Sequence, residues 1–330
     1  MRTRTITRSA RPSMPLPRQH TALLATLAAA FAVTAFGGSL NAYYLDVAMN
    51  VGVAIILAVS LNLVNGHTGQ FSLGHAGFMA VGAYLASACT LRLAPHLLGA
   101  AASPFVHHAF FLGALLVGGL TAALAGFLIG LPSLRLKGDY LALITLGFAE
   151  IIRVVFQNTP SLGGAIGLNG MPPLTTIAWT FGWVAVTVFT ISCLINSTYG
   201  RGFLAVRDNE IAASAAGINP TRYKVVAFTL GAFFAGIAGG LFAHLKLAID
   251  PRGFDFFRSV EIVVMVILGG MGNTLGVILA ATLLTLLPEV LRPVAEYRMV
   301  IYSALLIGLM LVRPQGLFNV RLGRSAAGKI

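Results

Sequence analysis

VAMNVGVAIILAVSLNLVNGHTGQFSLGHAGFMAVGAYLASACTL, residues 47–91, passes from end to end without an Asp, Glu, Lys or Arg. As one straight helix it would reach roughly 67 Å at about 1.5 Å per residue, more than twice a hydrocarbon core of about 30 Å. The chain must therefore turn inside the block, and NGHTGQFSLG (65–74) is its only polar, glycine-rich place to do so. The rest of the 330-residue sequence has the same character, with 57% hydrophobic and 10% charged residues against roughly 25% charged in soluble domains. Residues 21–45, 93–134, 154–200, 225–245, 262–288 and 299–312 likewise lack every formal charge.

A helical span needs about 20 apolar residues, so these blocks hold several spans and some hold two. The pattern predicts segments near 22–40, 45–64, 75–93, 107–131, 139–157, 175–196, 225–247, 259–269, 276–291 and 298–313. Lipid offers the backbone no hydrogen bonds, so the segments should be helices or broken helices. A barrel is excluded by the absence of alternating strands. The expected fold is all-α: a polytopic bundle of about 8–10 membrane segments with glycine-rich broken or re-entrant helices, one transmembrane domain over 22–318 between basic tails at 1–21 and 319–330. Residues 259–291 leave two readings open, a single tilted helix or two short halves turning at GGMGN (269–273).

Charge sets the orientation. With residues 1–20 inside the cell and each span reversing direction, the inner segments carry Arg2, Arg4, Arg8, Arg11, Arg18, Arg135, Lys137, Arg201, Arg207, Arg222, Lys224, Arg313, Arg321, Arg324 and Lys329, which is 15 of the 22 basic residues. Both termini are thereby expected in the cytoplasm, as the positive-inside rule requires. The net charge of +12 reads as topology rather than nucleic-acid binding, because the basic residues are dispersed. Five arginines ahead of an apolar run also resemble a signal peptide, but FGGSLNAYY (36–44) lacks a small-x-small cleavage site, and a retained first span is expected.

No catalytic set emerges. The sequence has no G-x-x-x-x-G-K-[ST] phosphate loop, no G-x-S-x-G elbow and no H-E-x-x-H. Cys89 and Cys193 both fall inside spans and imply neither a disulfide framework nor a metal site. His67 and His75 flank the glycine-rich turn without partners at ligand spacing, so hydrogen-bonded histidines are expected there instead of a metal. If the protein moves something uphill, the chemical energy must come from elsewhere.

STYGRGFLAVRDNEIAASAAGINPTRYK (197–224) stands out between two greasy blocks with six charges. Asp208 or Asn209 can cap a short helix over EIAASAA that stops at Gly217, and Asn219 with Pro220 starts the next one. Ala212, Ala213, Ala215 and Ala216 leave the helix surface nearly bare, so another surface could approach the backbone closely. Arg207 and Glu210, three apart, should share a face beside it. The insert reads as a docking helix or as a plain solvated connector.

RDNEIAASAAGINPTRYK (207–224) is similar to the cytoplasmic coupling loop of ABC-importer permeases, with Glu210, Ala212, Ala213 and Gly217 echoing the E-A-A…G pattern. Ile211 intrudes between Glu and Ala, and Gly217 is seven residues from Glu210 where the general form has six. LNLVNGHTGQFSLGHAGFMAVGAYLA (61–86), LPSLRLKGDYLALITLGFAEIIRVV (131–155), ILGGMGNTLGVILAA (267–281) and LLPEVLRPVAEYRMVIYSALLIGLMLVRPQGL (286–317) resemble, in order, the LivM-type permeases of branched-chain amino acid importers. The resemblance covers about residues 45–318. It implies a bacterial inner-membrane complex in which the chain pairs with a second related permease, two ATPase subunits bind the cytoplasmic face and a periplasmic binding protein delivers leucine, isoleucine or valine. ATP would be used by the partner subunits, with no cofactor on this chain. Arg207, Asp208, Glu210, Ala212, Ala213 and Gly217 would then couple to an ATPase.

Broken helices in membranes usually line a cavity, because unwound backbone cannot face lipid. Gly66, Gly69, Ser72, Gly74, Gly269, Gly270 and Gly272 are accordingly expected to shape the translocation path, the alternative being that these glycines only allow close helix packing. Glu150 and Arg153, one turn apart, should pair with each other, and the few intramembrane charges do not suggest a proton relay. A urea or short-amide importer permease resembles the same pattern and is the alternative within the class. A carrier or channel working alone is disfavoured by the lack of midplane carboxylates, and a membrane enzyme by the missing catalytic set.

Overall fold

The computed structural model describes residues 41–97, 103–133 and 139–292, with isolated positions between 297 and 308. The expected spans at 22–40 and, for the most part, 298–313 lie outside the described residues, as do the basic tails. The other eight expected segments each coincide with a helix, within a few residues.

Helix α1 (Ala42–Asn62) begins at Asn41, whose side chain accepts from the Tyr43 amide, and widens into a π-turn over Leu63–His67. The chain then unwinds over 68–74, and α2 (His75–Ala88) starts. The charge-free block 47–91 thus turns at the glycine-rich stretch, as its length demands. Helix α3 spans Pro104–Ser133 and α4 Asp139–Gln157. A connector holding strand β1 (Leu168–Asn169) leads to α5 (Ile177–Asn196), capped by Thr176. Two short helices follow, α6 (Thr198–Asp208) and α7 (Glu210–Ala215), and then the long α8 (Pro220–Lys246). Strand β2 (Ala248–Ile249) pairs antiparallel with β1, and α9 (Phe256–Gly269) and α10 (Thr274–Val290) complete the described bundle. The turn between α9 and α10 falls at GGMGN, so the two-halves reading of 259–291 holds.

Six helical stretches, Ala42–His67, His75–Leu97, Phe105–Pro132, Tyr140–Gln157, Ile177–Asn196 and Pro220–Lys246, are long and apolar enough to cross a bilayer. Their packing differs sharply: 78% of the apolar window of Ala42–His67 is buried within the chain, but only 28% of those in Tyr140–Gln157 and Ile177–Asn196. Helices α1, α2 and α8 therefore form the centre, α3 lies against α2 and α8, and α4 and α5 stand at the periphery. Small residues make the central crossings possible. A Cβ on Gly82 of α2 would collide with the backbone of Gly236 on α8, and one on Gly239 would collide with the Met79 carbonyl. In lipid, where apolar surface gains little from leaving an equally apolar solvent, such backbone-close packing is a principal source of helix association.

The peripheral rows are apolar and outward facing. Leu275, Leu279, Leu283, Leu286 and Val290 form one exposed stripe along α10, and Leu143, Ile144, Ile151, Val154 and Val155 another on α4. Glu150 and Arg153 pair on α4 as the sequence suggested. The small ladder Leu168↔Ile249 and Asn169↔Ala248 sits at the end of the bundle where α8 stops and α9 begins, the end opposite α6 and α7.

Candidate functional site

The insert 197–224 is two helices rather than one. Ser197 caps α6 by accepting from the Gly200 amide, an element the sequence reading did not anticipate. Asn209, extended at φ −161°, interrupts the helix and its side chain accepts from the amides of Ile211 and Ala212, so the cap is Asn209 and not Asp208. Gly217 at φ 82° closes α7, with its amide donating to Ser214 O and the Ile218 amide donating back to Ala213 O at 3.0 Å. This is the left-handed helix stop expected of that glycine. Asn219 then caps α8 through the Arg222 amide, with Pro220 in the first turn.

The break at Asn209 overturns one expectation. Arg207 ends α6 and Glu210 begins α7, so the two do not share a helix face. Glu210 instead accepts from Lys224 Nζ at 3.0 Å, tying α7 to α8. Arg207 donates to its neighbour Asp208 and turns its other face toward the bundle. Ala213 corrects a second expectation: it is buried against the bundle, so only Ala212, Ala215 and Ala216 of the four alanines face outward. Ile211, the residue that departs from the general loop pattern, is 76% exposed beside them.

Both glycine-rich breaks meet at one point. A Cβ on Gly66 would collide with Asn62 Oδ1 and with the amide nitrogen of Gly272, and would lie 3.0 Å from Gly272 Cα. Asn62 Oδ1 accepts from the Gly272 amide at 2.9 Å, across 210 residues of sequence. Arg207 reaches this junction from the insert. One guanidinium nitrogen lies 3.4 Å from Gly66 O, a Cβ on Gly272 would sit 3.2 Å from it, and a Cβ on Gly69 would sit 2.9 Å from Arg207 Cγ. Gly69 and Gly272 have φ of 69° and 83°, so any other residue there is doubly opposed, by backbone and by the arginine.

The remaining expected path residues are each held close to a neighbour. Ser72 is buried; its amide donates to Asn65 Oδ1 and its hydroxyl accepts from the Gly74 amide. Gly74 lies against Thr145, whose hydroxyl accepts from the Leu73 amide. Gly269 faces the backbone of Gly276 and Val277 across the α9–α10 turn, and Gly270 at φ 88° makes that turn. The structure thus brings Gly66, Gly69, Gly272 and Arg207 together, with Gly74 and Gly269 in flanking contacts.

In the first break, sequence reasoning took up His67 and Ser72 but passed over Asn62, Asn65 and Gln70. Asn62, Asn65, His67 and Gln70 are at most 5% exposed, and Asn62 Nδ2, Asn65 Nδ2, both His67 nitrogens and the Gln70 amide atoms have no hydrogen-bond partner among the described residues. The expectation of a hydrogen-bonded histidine holds for His75, which pairs with Ser60 Oγ at 2.9 Å, and fails for His67. Buried polar groups left unmatched are costly in an apolar setting, which marks this turn as a place where water or a passing polar group belongs. The spacing N-x-x-N-x-H-x-x-Q inside a greasy block was the visible signal.

Comparison with known proteins places these features in a family. Residues 43–312 match the family described as branched-chain amino acid transport system, permease component. The chain is 38% identical over 307 residues to the high-affinity branched-chain amino acid transport system permease protein LivM of Salmonella typhimurium, covering 82% of this chain and 69% of that one. A probable branched-chain amino acid transport permease protein LivM of Methanocaldococcus jannaschii is 26% identical over 74% of this chain and 80% of its own. The LivH permease protein of Salmonella typhimurium is 25% identical over 83% of this chain and 92% of its own. No solved structure matches the chain.

Proposed function

The chain belongs to the branched-chain amino acid ABC transport permease family, a non-catalytic transmembrane subunit, and from that premise we propose how it works. It conducts leucine, isoleucine or valine inward across the bacterial inner membrane as one of two related permeases. The 25% identity to a LivH permease protein supports a chain of the same family as that second permease. Two ATPase subunits seat against residues 197–224 in the cytoplasm, a periplasmic protein delivers substrate to the opposite face, and ATP is bound and hydrolysed only on the partners. Both termini lie in the cytoplasm, in keeping with the basic residues Arg201, Arg207, Arg222 and Lys224 of the insert.

The observation that carries this reading is the reach of Arg207 from the end of α6 to Gly66 O, beside Gly69 and Gly272. A displacement of α6 and α7 cannot leave the two breaks unmoved, because Arg207 fills the space that glycine leaves at both. The exposed patch Ile211, Ala212, Ala215 and Ala216 is the surface offered to the ATPase, with Asp208 at its edge and Gly217 fixing the angle to α8. Glu210 and Ala213 act from beneath: the Glu210–Lys224 pair and the buried Ala213 methyl hold α7 to α8 so that it moves as a unit. Gly66, Gly69, Ser72, Gly74, Gly269, Gly270 and Gly272 shape the inner part of the path, where the unmatched polar atoms of Asn62, Asn65, His67 and Gln70 offer transient partners to a passing ammonium and carboxylate.

The test is affinity purification of the tagged chain in mild detergent, with uptake and ATP hydrolysis measured on the reconstituted complex. An ATPase and a second permease should co-purify, and Ile211→Arg should lose the ATPase while keeping the permease. Arg207→Gln should keep ATP hydrolysis and lose uptake. A chain that purifies alone and still carries substrate in vesicles without ATP would overturn the proposal.

A further inference from the structure

At the end of the bundle opposite the insert, four helices line a half-open cavity of about 210 Å³. Asp46, Val47, Asn50 and Ala54 line it from α1, Lys246 from the end of α8, Arg258, Glu261 and Met265 from α9, and Thr285 and Glu289 from α10. Each helix contributes residues at helical spacing, so the wall is built from three aligned faces and one helix end. Of the ten acidic residues in the whole chain, three converge on this one cavity. They meet two of its cations: Lys246 Nζ lies 3.2 Å from Asp46, and Arg258 lies 2.6 Å from Glu261. Glu289 is held by the Tyr43 hydroxyl at 2.5 Å, and Asn50 Nδ2 donates to Asp46 at 2.9 Å. The Thr285 hydroxyl, also on the wall, is buried without a hydrogen-bond partner among the described residues.

Stability does not explain such a concentration. Partly exposed ion pairs at the ends of the spans contribute little to stability. The chemistry of the wall is specific. Carboxylates and cations stand side by side at the rim, while Ala54 and Met265, one to two turns deeper along α1 and α9, give an apolar floor. An ordinary anion would meet three acids, and an ordinary cation would meet Lys246 and Arg258. A zwitterion can exchange partners with the existing pairs, its ammonium joining Asp46 or Glu261 and its carboxylate joining Lys246 or Arg258, without adding net charge. The volume sets the size, since sites for drug-sized molecules hold roughly 300–1,000 Å³.

We propose that this cavity is an acceptor site for a single free α-amino acid, engaged after release from the binding protein and before passage through the bundle. The α-ammonium and α-carboxylate are read by the ion pairs, and an aliphatic side chain enters over Val47, Ala54 and Met265. The proposal rests on the orientation and substrate class proposed above.

The test uses the purified complex without its binding protein, with Cys89 and Cys193 replaced by alanine and Thr285→Cys as reporter. The labelling rate of Cys at 285 by a small thiol reagent is followed against leucine concentration. Leucine should slow labelling along a saturating curve, by about twofold when its concentration equals Kd. 4-Methylpentanoate, which lacks the ammonium, and 3-methylbutylamine, which lacks the carboxylate, should not protect. Asp46→Asn and Arg258→Gln should abolish protection by leucine. Asn50→Cys, on the facing wall, reports the same protection independently. Uptake of leucine by the complete complex with no protection at either reporter overturns the site and leaves the transport reading intact. Protection by leucine in a complex that takes up no branched-chain amino acid overturns the transport reading and leaves the site.

Discussion

Substituting alanine for Gly66 places a methyl group where the first glycine-rich break meets the second. Its Cβ would collide with Asn62 Oδ1 and Gly272 N and approach Gly272 Cα to 3.0 Å, where ordinary contacts begin at 3.4 Å. The breaks must separate, and the 2.9 Å bond from the Gly272 amide to Asn62 is lost with Asn62 fully buried. Overpacking costs about 1–3 kcal/mol and a buried unmatched partner about 1–3 kcal/mol more. Against this, alanine regains only about 0.5–1 kcal/mol of helix propensity. The net destabilisation is about 1–5 kcal/mol, or, at about 2.1 cal/mol/K per residue, a fall in thermal midpoint on the order of 1–7 °C. The assay is a thermal melt of the purified complex, paired with ATP-driven leucine uptake in proteoliposomes. Gly113→Ala is the control, because nothing lies within 4 Å of a Cβ there. Uptake should fall more than stability alone explains, since the displaced carbonyl of Gly66 is the one Arg207 reaches. A Gly66→Ala complex that melts with the Gly113→Ala control and transports normally would refute the junction.

Two further outcomes are expected. Lys224→Met leaves Glu210 without its cation and frees α7 from α8, so uptake should drop while ATP hydrolysis and the thermal midpoint stay near wild type; unchanged coupling between hydrolysis and uptake counts against Glu210 as an anchor. In a chain free of native cysteines, Ser214→Cys should be labelled by an impermeant reagent only in inside-out vesicles and Ile166→Cys, at an 82% exposed position, only in right-side-out cells. Labelling of both from one side would sink the orientation.

The spans were legible because the constraint behind them is severe: 45 successive residues without a formal charge cannot be one helix in a bilayer about 30 Å thick. Caps were legible for the same kind of reason at Gly217 and Asn219–Pro220, each having one local geometry that suits it, whereas the choice of Asn209 over Asp208 needed the structure. What the sequence did not reveal was pairing at a distance. Glu210 finds Lys224, 14 residues on, only because α7 folds back on α8. Gly66 finds Gly272 only because α1 and the α9–α10 turn end at the same depth. The helix α6 was missed because TYGRGFLAVRD has two glycines and a low overall apolar content, so the burial of Phe203 and Val206 rather than propensity holds it. The acceptor cavity was invisible for a related reason: Asp46, Lys246, Glu261 and Glu289 are scattered over the chain, and each alone reads as an interfacial charge.

The short ladder between β1 and β2 gives the two ends of the molecule different mechanical characters. Beside Leu168–Ile249, the amides of Gly170 and Met171 donate to Leu247 O at 3.2 and 3.4 Å, so backbone clasps backbone across the α4–α5 and α8–α9 connectors. At the insert end the ties run through side chains instead: the Arg207 guanidinium and the Asn62 amide at the glycine-rich breaks, and the Glu210–Lys224 pair between α7 and α8. On the coupling proposed above, a push delivered at α6 and α7 is expected to disturb the side-chain contacts of the insert before the backbone ladder at the opposite end, and slower hydrogen exchange at the Gly170 and Met171 amides than at the Gly272 amide is the result that checks it.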